Sequence, residues 1–220
     1  MASAHRILAR RVALNRCFGY TDTGKMLCLG AESLEIVSLL TADPNTLPYF
    51  VTEMRTGSIM PVRFEPLTPD DDVELRGERW SGAVFADVWP SYAHIPNTFK
   101  LVCLQNAVSD IHGIVHVGNI MTAGRFLKKS LLETVPSNQH QASQPDHKGI
   151  GRVLIARLVV ESYLQRGQGK VMVRPRPGTE LFYRALGFTP APRLPRRYIL
   201  DRSEAEALLQ KTLLHVLERQ

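Results

Sequence analysis

Cysteine is scarce: Cys17, Cys28 and Cys103 are the only three in a chain of 220 residues. An odd, widely spaced set supplies neither a disulfide framework nor the paired spacing of a zinc module. Each thiol is therefore expected to be a small buried hydrophobe, and a reducing, cytoplasmic compartment is the natural reading. No apolar run approaches the roughly 18 residues needed to cross a bilayer, so no membrane partner is expected. The first 16 residues carry four arginines and no acid. They lack the apolar centre of a secretory signal and the serine richness of a transit peptide, and read as a basic arm or amphipathic helix.

Acidic residues are also unevenly spread. Residues 1–150 hold 14 Lys+Arg against 15 Asp+Glu, whereas residues 151–220 hold 13 against 6. The surplus of the whole chain, +6, thus resides in the C-terminal third. Such a region could attract a phosphorylated cofactor, an acidic protein or nucleic acid. For nucleic acid the region has no aromatic stacking ladder beyond Tyr183 and Tyr198.

What is there is an alternation of strands and helices. Residues 31–41 read as a short helix stopped by Asp43-Pro44-Asn45. Residues 59–64 read as a strand, which Pro61 would place at an edge. Asp70-Asp71-Asp72 suits a helix start or a solvated loop better than a divalent metal. Residues 99–104 and 111–118 pair as a hairpin, and a third strand runs from Ser130 to Val135. A polar loop, 137–146, follows and is long for a compact domain. An amphipathic helix then opens at Gly149-Ile150-Gly151, with Ile150, Leu154 and Leu158 in one column. A strand at 170–174, a helix at 179–186 capped by Gly187, a strand at 198–200 and a helix opened by a Ser203–Glu206 capping box complete the chain. This order predicts an α/β fold with helices flanking a mixed sheet.

The turn Lys148-Gly149-Ile150-Gly151-Arg152 has a physical use. Glycine permits close approach and positive φ. The first N–H groups of the following helix have no internal partner, and the helix dipole favours an anion there. Lys148 and Arg152 add full charges.

A strand ending at Pro136, this turn with its helix, and Glu180-Leu181-Phe182-Tyr183-Arg184-Ala185-Leu186-Gly187-Phe188 about thirty residues later together resemble the GNAT acetyltransferase superfamily, over roughly residues 99–201. Glu133-Thr134-Val135-Pro136-Ser137-Asn138 is similar to an E-x-x-P-x-N stretch of some members. The resemblance implies a GNAT-like acyl-CoA N-acyltransferase fold over 56–220, behind an N-terminal extension over 1–55. It implies that acetyl-CoA is the co-substrate, held by Thr134, Val135, Lys148, Gly149, Ile150, Gly151 and Arg152. An acceptor amine would attack the thioester directly, an N–H near Val135 would polarise its carbonyl, Tyr183 with an ordinary pKa near ~10 would protonate the leaving thiolate, and Glu133 would be the base. Two departures stand out: Asp146 occupies the family's first glutamine or arginine position, and Arg176 stands where an asparagine often precedes the tyrosine. They favour a rival reading, a non-catalytic CoA-binding or regulatory module; the basic C-terminal region favours another, an acetylase directed at RNA or aminoacyl-tRNA.

Other patterns lead less far. Gly19 to Lys25 nearly spells a nucleotide-binding loop, but Met26 stands where Ser or Thr should hold magnesium. His112 and His116 would lie about 13 Å apart on a strand, at about 3.3 Å per residue, too far for one ion. No metal is expected. His140 and His147 flank the polar loop and could touch a ligand; Trp80 and Trp89 suit a core. The final helix should pack on the sheet in a monomer, or join a homodimer.

Overall fold

The computed structural model describes residues 45, 47, 49–80, 83, 87–103, 110–121, 126–128, 130–139 and 144–214, and the backbone of 19–20 and 26–27. The basic arm, the helix expected at 31–41 and His140 lie outside these residues. Contacts divide the chain into two compact units, Met1–Thr41 and Ala42–Gln220. In the first, β1 (Gly19–Tyr20) and β2 (Met26–Leu27) pair antiparallel. The near-nucleotide loop is thus bracketed by a hairpin and not by a strand and a helix.

The second unit is mixed α/β. Its larger sheet contains β3 (Tyr49–Glu53), β4 (Ile59–Pro66), β5 (Thr98–Cys103), β6 (Ile111–His116), β9 (Leu131–Thr134) and β10 (His147–Lys148), in the order β10-β3-β4-β5-β6-β9. Every pairing in it is antiparallel. β3 falls inside the expected extension yet is hydrogen-bonded into this sheet. Met60, Val62 and Phe64 are buried at alternate positions of β4, the period-two pattern of a strand with one face inward. β4 is interior, against the edge placement expected from Pro61. Among the described residues its pairing with β5 begins at Val62, and Pro61 pairs with Phe50 of β3.

A smaller sheet joins β7 (Asn119–Ile120), β8 (Leu127–Lys128), β11 (Val171–Val173), β12 (Thr189–Pro190) and β13 (Tyr198–Leu200) in the order β12-β13-β11-β8-β7. β8 runs parallel to β11 at one register pair, Val171↔Leu127. A few residues later the same stretch of chain, now β9, pairs with β6 in the larger sheet. The segment 127–134 therefore leaves one sheet for the other, and β9 diverges from β11.

Short helices α1 (Asp72–Leu75) and α2 (Trp89–Tyr92) cover one face of the larger sheet near Trp80. Asp71 accepts from the Thr68 N–H at 2.8 Å and from Lys100 Nζ at 2.5 Å, and Asp72 pairs with Arg76. The acidic run is thus a helix start, as expected. The long helix α3 (Ile150–Leu164) touches β3, β6 and β9 of the larger sheet and β8 and β11 of the smaller. The sequence pattern suggested one apolar face, but residues 153–160 are buried without a break. Over these residues a helix held between two sheets has no solvent side, while Leu164 at its end is exposed. Leu154, Leu158 and Val159, each fully buried, contribute on the order of 1.5–3 kcal/mol apiece.

Helix α4 (Glu180–Ala185) ends at Gly187 with φ +95°, as expected of a left-handed cap. Helix α5 (Arg202–Leu209) starts after Asp201 and not at a Ser203–Glu206 box. Ser203 Oγ bonds Glu204, while Glu206 accepts from Arg202 Nε at 2.7 Å and from Tyr163 at 3.3 Å. The stronger charged partner claims Glu206.

Candidate active site

β10 delivers the chain to the glycine turn: His147 and Lys148 pair with Glu53 and Thr52 of β3. Gly149 then takes φ +102°, ψ −8°, a conformation open mainly to glycine. The first bond into the helix is Val153 N–H to the Gly149 carbonyl, 3.0 Å. The N–H groups of Ile150, Gly151 and Arg152 therefore precede the ladder, at the positive end of the helix dipole. Lys148 is exposed, and Arg152 is half-buried with a sealed Nε that has no hydrogen-bond partner among the described residues. Asp146 is exposed, and its carbonyl accepts from Met54 N–H at 2.8 Å. The polar loop is also pinned near its start, where Asn138 Oδ1 accepts from His147 N–H at 2.8 Å.

Helix α4 lies against this turn. A Cβ on Gly151 would sit 2.9 Å from Phe182 Cζ, so the second glycine makes room for α4. The next residue, Tyr183, is buried and edge-on to Phe182 and Phe188, with centroids 5.1 and 5.4 Å away. Burial pushes its hydroxyl up to about 12, above the ordinary value expected from the sequence. It therefore stays protonated at neutral pH but gives up its proton reluctantly.

The strand residues divide between two faces. Gly113 opposes Thr134, and a Cβ at Gly113 would lie 3.1 Å from Ile150 and Leu154 of α3. Thr134 thus occupies a position on the α3 face, and Glu133, one residue earlier, belongs to the opposite face. There Glu133 is buried and accepts from Trp89 Nε1 at 3.0 Å. Trp80 and Trp89 are core residues, as expected, in one cluster with Leu75, Ile111, Ile114 and Val135. Thr134 accepts through its carbonyl from Gln139 Nε2 at 3.2 Å. An N–H near Val135 is expected to polarise a carbonyl; that of Val135 itself donates to the His112 carbonyl at 3.1 Å. It is an extra rung of the sheet and is not presented to a ligand.

A third group was not foreseen. The ligand atoms of Cys103, His112 and His147 all lie within 4.8 Å of one another. The β5–β6 register shifts between Leu101 and Val102, leaving His112 unpaired between Ile111 and Gly113, as the extra residue of a bulge that re-aims its side chain. His116, expected to stand too far from His112 to share an ion, meets Thr98 Oγ1 at 3.0 Å and the ring of Tyr92. His112 and His147 stand edge-on with centroids 4.5 Å apart. Burial and the neighbouring His147 push His112 down to about 4, and burial lowers His147 as well. Burial pushes the Cys103 thiol up to about 11. The three residues come from three strands, so no local spacing announces them.

No protein-family profile matches the chain, and no curated protein matches it in sequence. Among solved structures it is similar to a variant of a cAMP-binding acyltransferase from Mycobacterium smegmatis, with a TM-score of 0.38 and 12% identity, over 83% of this chain. The chain spans 62% of that protein's length.

Proposed function

We propose that the chain is a GNAT-type acyltransferase that binds acetyl-CoA and passes the acetyl group to an amine. The observation that carries this reading is the left-handed Gly149 opening a buried helix, with Lys148 and Arg152 on either side. A diphosphate fits that arrangement: three N–H groups ahead of the helical ladder and two side-chain cations face one turn. An extended pantetheine arm would run between β9 and β11, which belong to different sheets. The co-substrate would supply an activated thioester carbonyl. The chain's own residues would then orient it and move protons: Tyr183, protonated at neutral pH, donates to the departing sulfur, and Glu133 accepts from the amine directly or through water. The cytoplasm is the compartment this chemistry suits, and the acceptor amine is a small molecule or a protein side chain.

One observation favours a second reading, a CoA-binding module without turnover. The Val135 N–H is consumed by His112, and burial makes the Tyr183 hydroxyl a weaker acid than usual. Tyr183→Phe separates the two. With an amine that supports thiol release, the enzyme reading expects a loss of about 10²-fold or more in kcat with acetyl-CoA affinity unchanged. Equal turnover in parent and variant would remove Tyr183 from the chemistry. Absence of thiol release with any amine would leave the module.

A further inference from the structure

We propose that Cys103, His112 and His147 form a binding site for a divalent transition metal, with zinc the best match to the donor set. The proposal is independent of the acyl-CoA reading, since none of the three residues serves in it.

The geometry carries the argument. One sulfur and two imidazoles from β5, β6 and β10 converge within 4.8 Å. In a tetrahedral zinc site, ligand atoms stand about 3.4–3.7 Å apart, given zinc–nitrogen bonds near 2.1 Å and zinc–sulfur bonds near 2.3 Å. Side-chain rotations of about 1 Å would close the site. His112 is 2% exposed and Cys103 3% exposed, so the inner wall is held by the sheet.

The second observation is chemical. Neither ring nitrogen of His112 has a hydrogen-bond partner among the described residues, and Nδ1 of His147 is also buried without one. Buried polar atoms ordinarily find partners, and leaving them bare is costly. A bulge that turns a histidine inward, onto a second histidine and a thiol, is accounted for by an ion that takes the nitrogen lone pairs. Imidazole and thiolate suit zinc or cobalt and not magnesium or calcium, which prefer oxygen. The histidines are already neutral at pH 7, as a ligand must be. The Cys103 thiol would give its proton to solvent as the sulfur–metal bond forms, so binding releases one proton. Of the charges nearby, Arg79 opposes a cation, but it is paired with Asp110 at 3.0 Å and with Glu74 at 3.3 Å. Three protein donors leave a fourth position for water, the pattern of an open zinc site.

The test uses the full chain with Cys17→Ser and Cys28→Ser, so that any thiolate–metal signal reports Cys103. The metal-free protein is titrated with cobalt(II) and followed by absorbance. One equivalent should bind, with a thiolate-to-cobalt charge-transfer band, and zinc should displace it. Cys103→Ser should abolish that band. His147→Ala, at a half-buried strand end, should weaken binding by about a hundredfold while leaving the circular dichroism of the metal-free protein unchanged. A cobalt complex lacking the charge-transfer band, or one indifferent to His147→Ala, would overturn the site. So would the absence of binding at millimolar metal. Should Cys103→Ser fail to fold, His147→Ala decides alone.

Discussion

Arg157 and His112 are equally buried, each 2% exposed, but they are accommodated in opposite ways. Arg157 brings its partners with it. Its Nη2 lies 2.7 Å from Glu161 one helical turn on, and its guanidinium stands 4.4 Å from the Phe99 centroid and 5.6 Å from that of Phe64. Its Nε and Nη1 have no hydrogen-bond partner among the described residues, a state guanidinium tolerates beside rings because of its weak hydration and its affinity for π faces. His112 has no comparable arrangement. Its neighbours are another imidazole and a thiol, and neither of its nitrogens has a hydrogen-bond partner among the described residues. The first group holds an ion pair through one nitrogen and leaves two unpartnered beside aromatic rings; the second has a partner at neither nitrogen among the described residues. That contrast separates a structural charge from a candidate binding site more sharply than burial does.

The comparison can be broken at either end. The larger effect belongs to Arg157. Arg157→Ala strips Glu161 of its counter-ion and empties the space between two rings, and should cost about 3–5 kcal/mol. Urea unfolding followed by the fluorescence of Trp80 and Trp89, both buried, measures it. A cost below about 1 kcal/mol would mean that the pair and the ring contacts contribute little. His112→Leu should behave in the opposite sense. It removes two unsatisfied nitrogens, so the metal-free variant should stay within about 1 kcal/mol of the parent. Zinc at a hundred times its dissociation constant should stabilise the parent by about 2.7 kcal/mol and the variant not at all. A loss of several kcal/mol in the metal-free variant would make His112 a structural residue and narrow the contrast.

The two regions also differed in how far the sequence revealed them. The turn at 148–152 is local: glycine, glycine and a strongly apolar helix lie in one stretch, and local features survive folding. The hairpin of β5 and β6, and Gly187 as the cap of α4, were legible for the same reason. The cluster was not. Cys103, His112 and His147 meet only because β5 pairs with β6, a bulge turns His112, and β10 folds back onto β3. None of the three steps has a short-range signature, and a period-two reading of β6 shows only that His112 and His116 are too far apart to share an ion. That the Val135 N–H is bonded to His112 was hidden similarly, since whether an N–H is free depends on where the neighbouring strand ends. Arg157 was hidden by the helical pattern itself, which marks a charged residue for a solvent side that the helix lacks over residues 153–160.

The account rests on the turn at Gly149. Calorimetric titration of the intact chain with acetyl-CoA tests it most directly, beside the double variant Lys148→Ala/Arg152→Ala. Saturable one-to-one binding is predicted, weakened about tenfold or more when both cations are removed, because charge-assisted contacts to phosphate are lost. No heat at millimolar acetyl-CoA, or binding that ignores both substitutions, would contradict it.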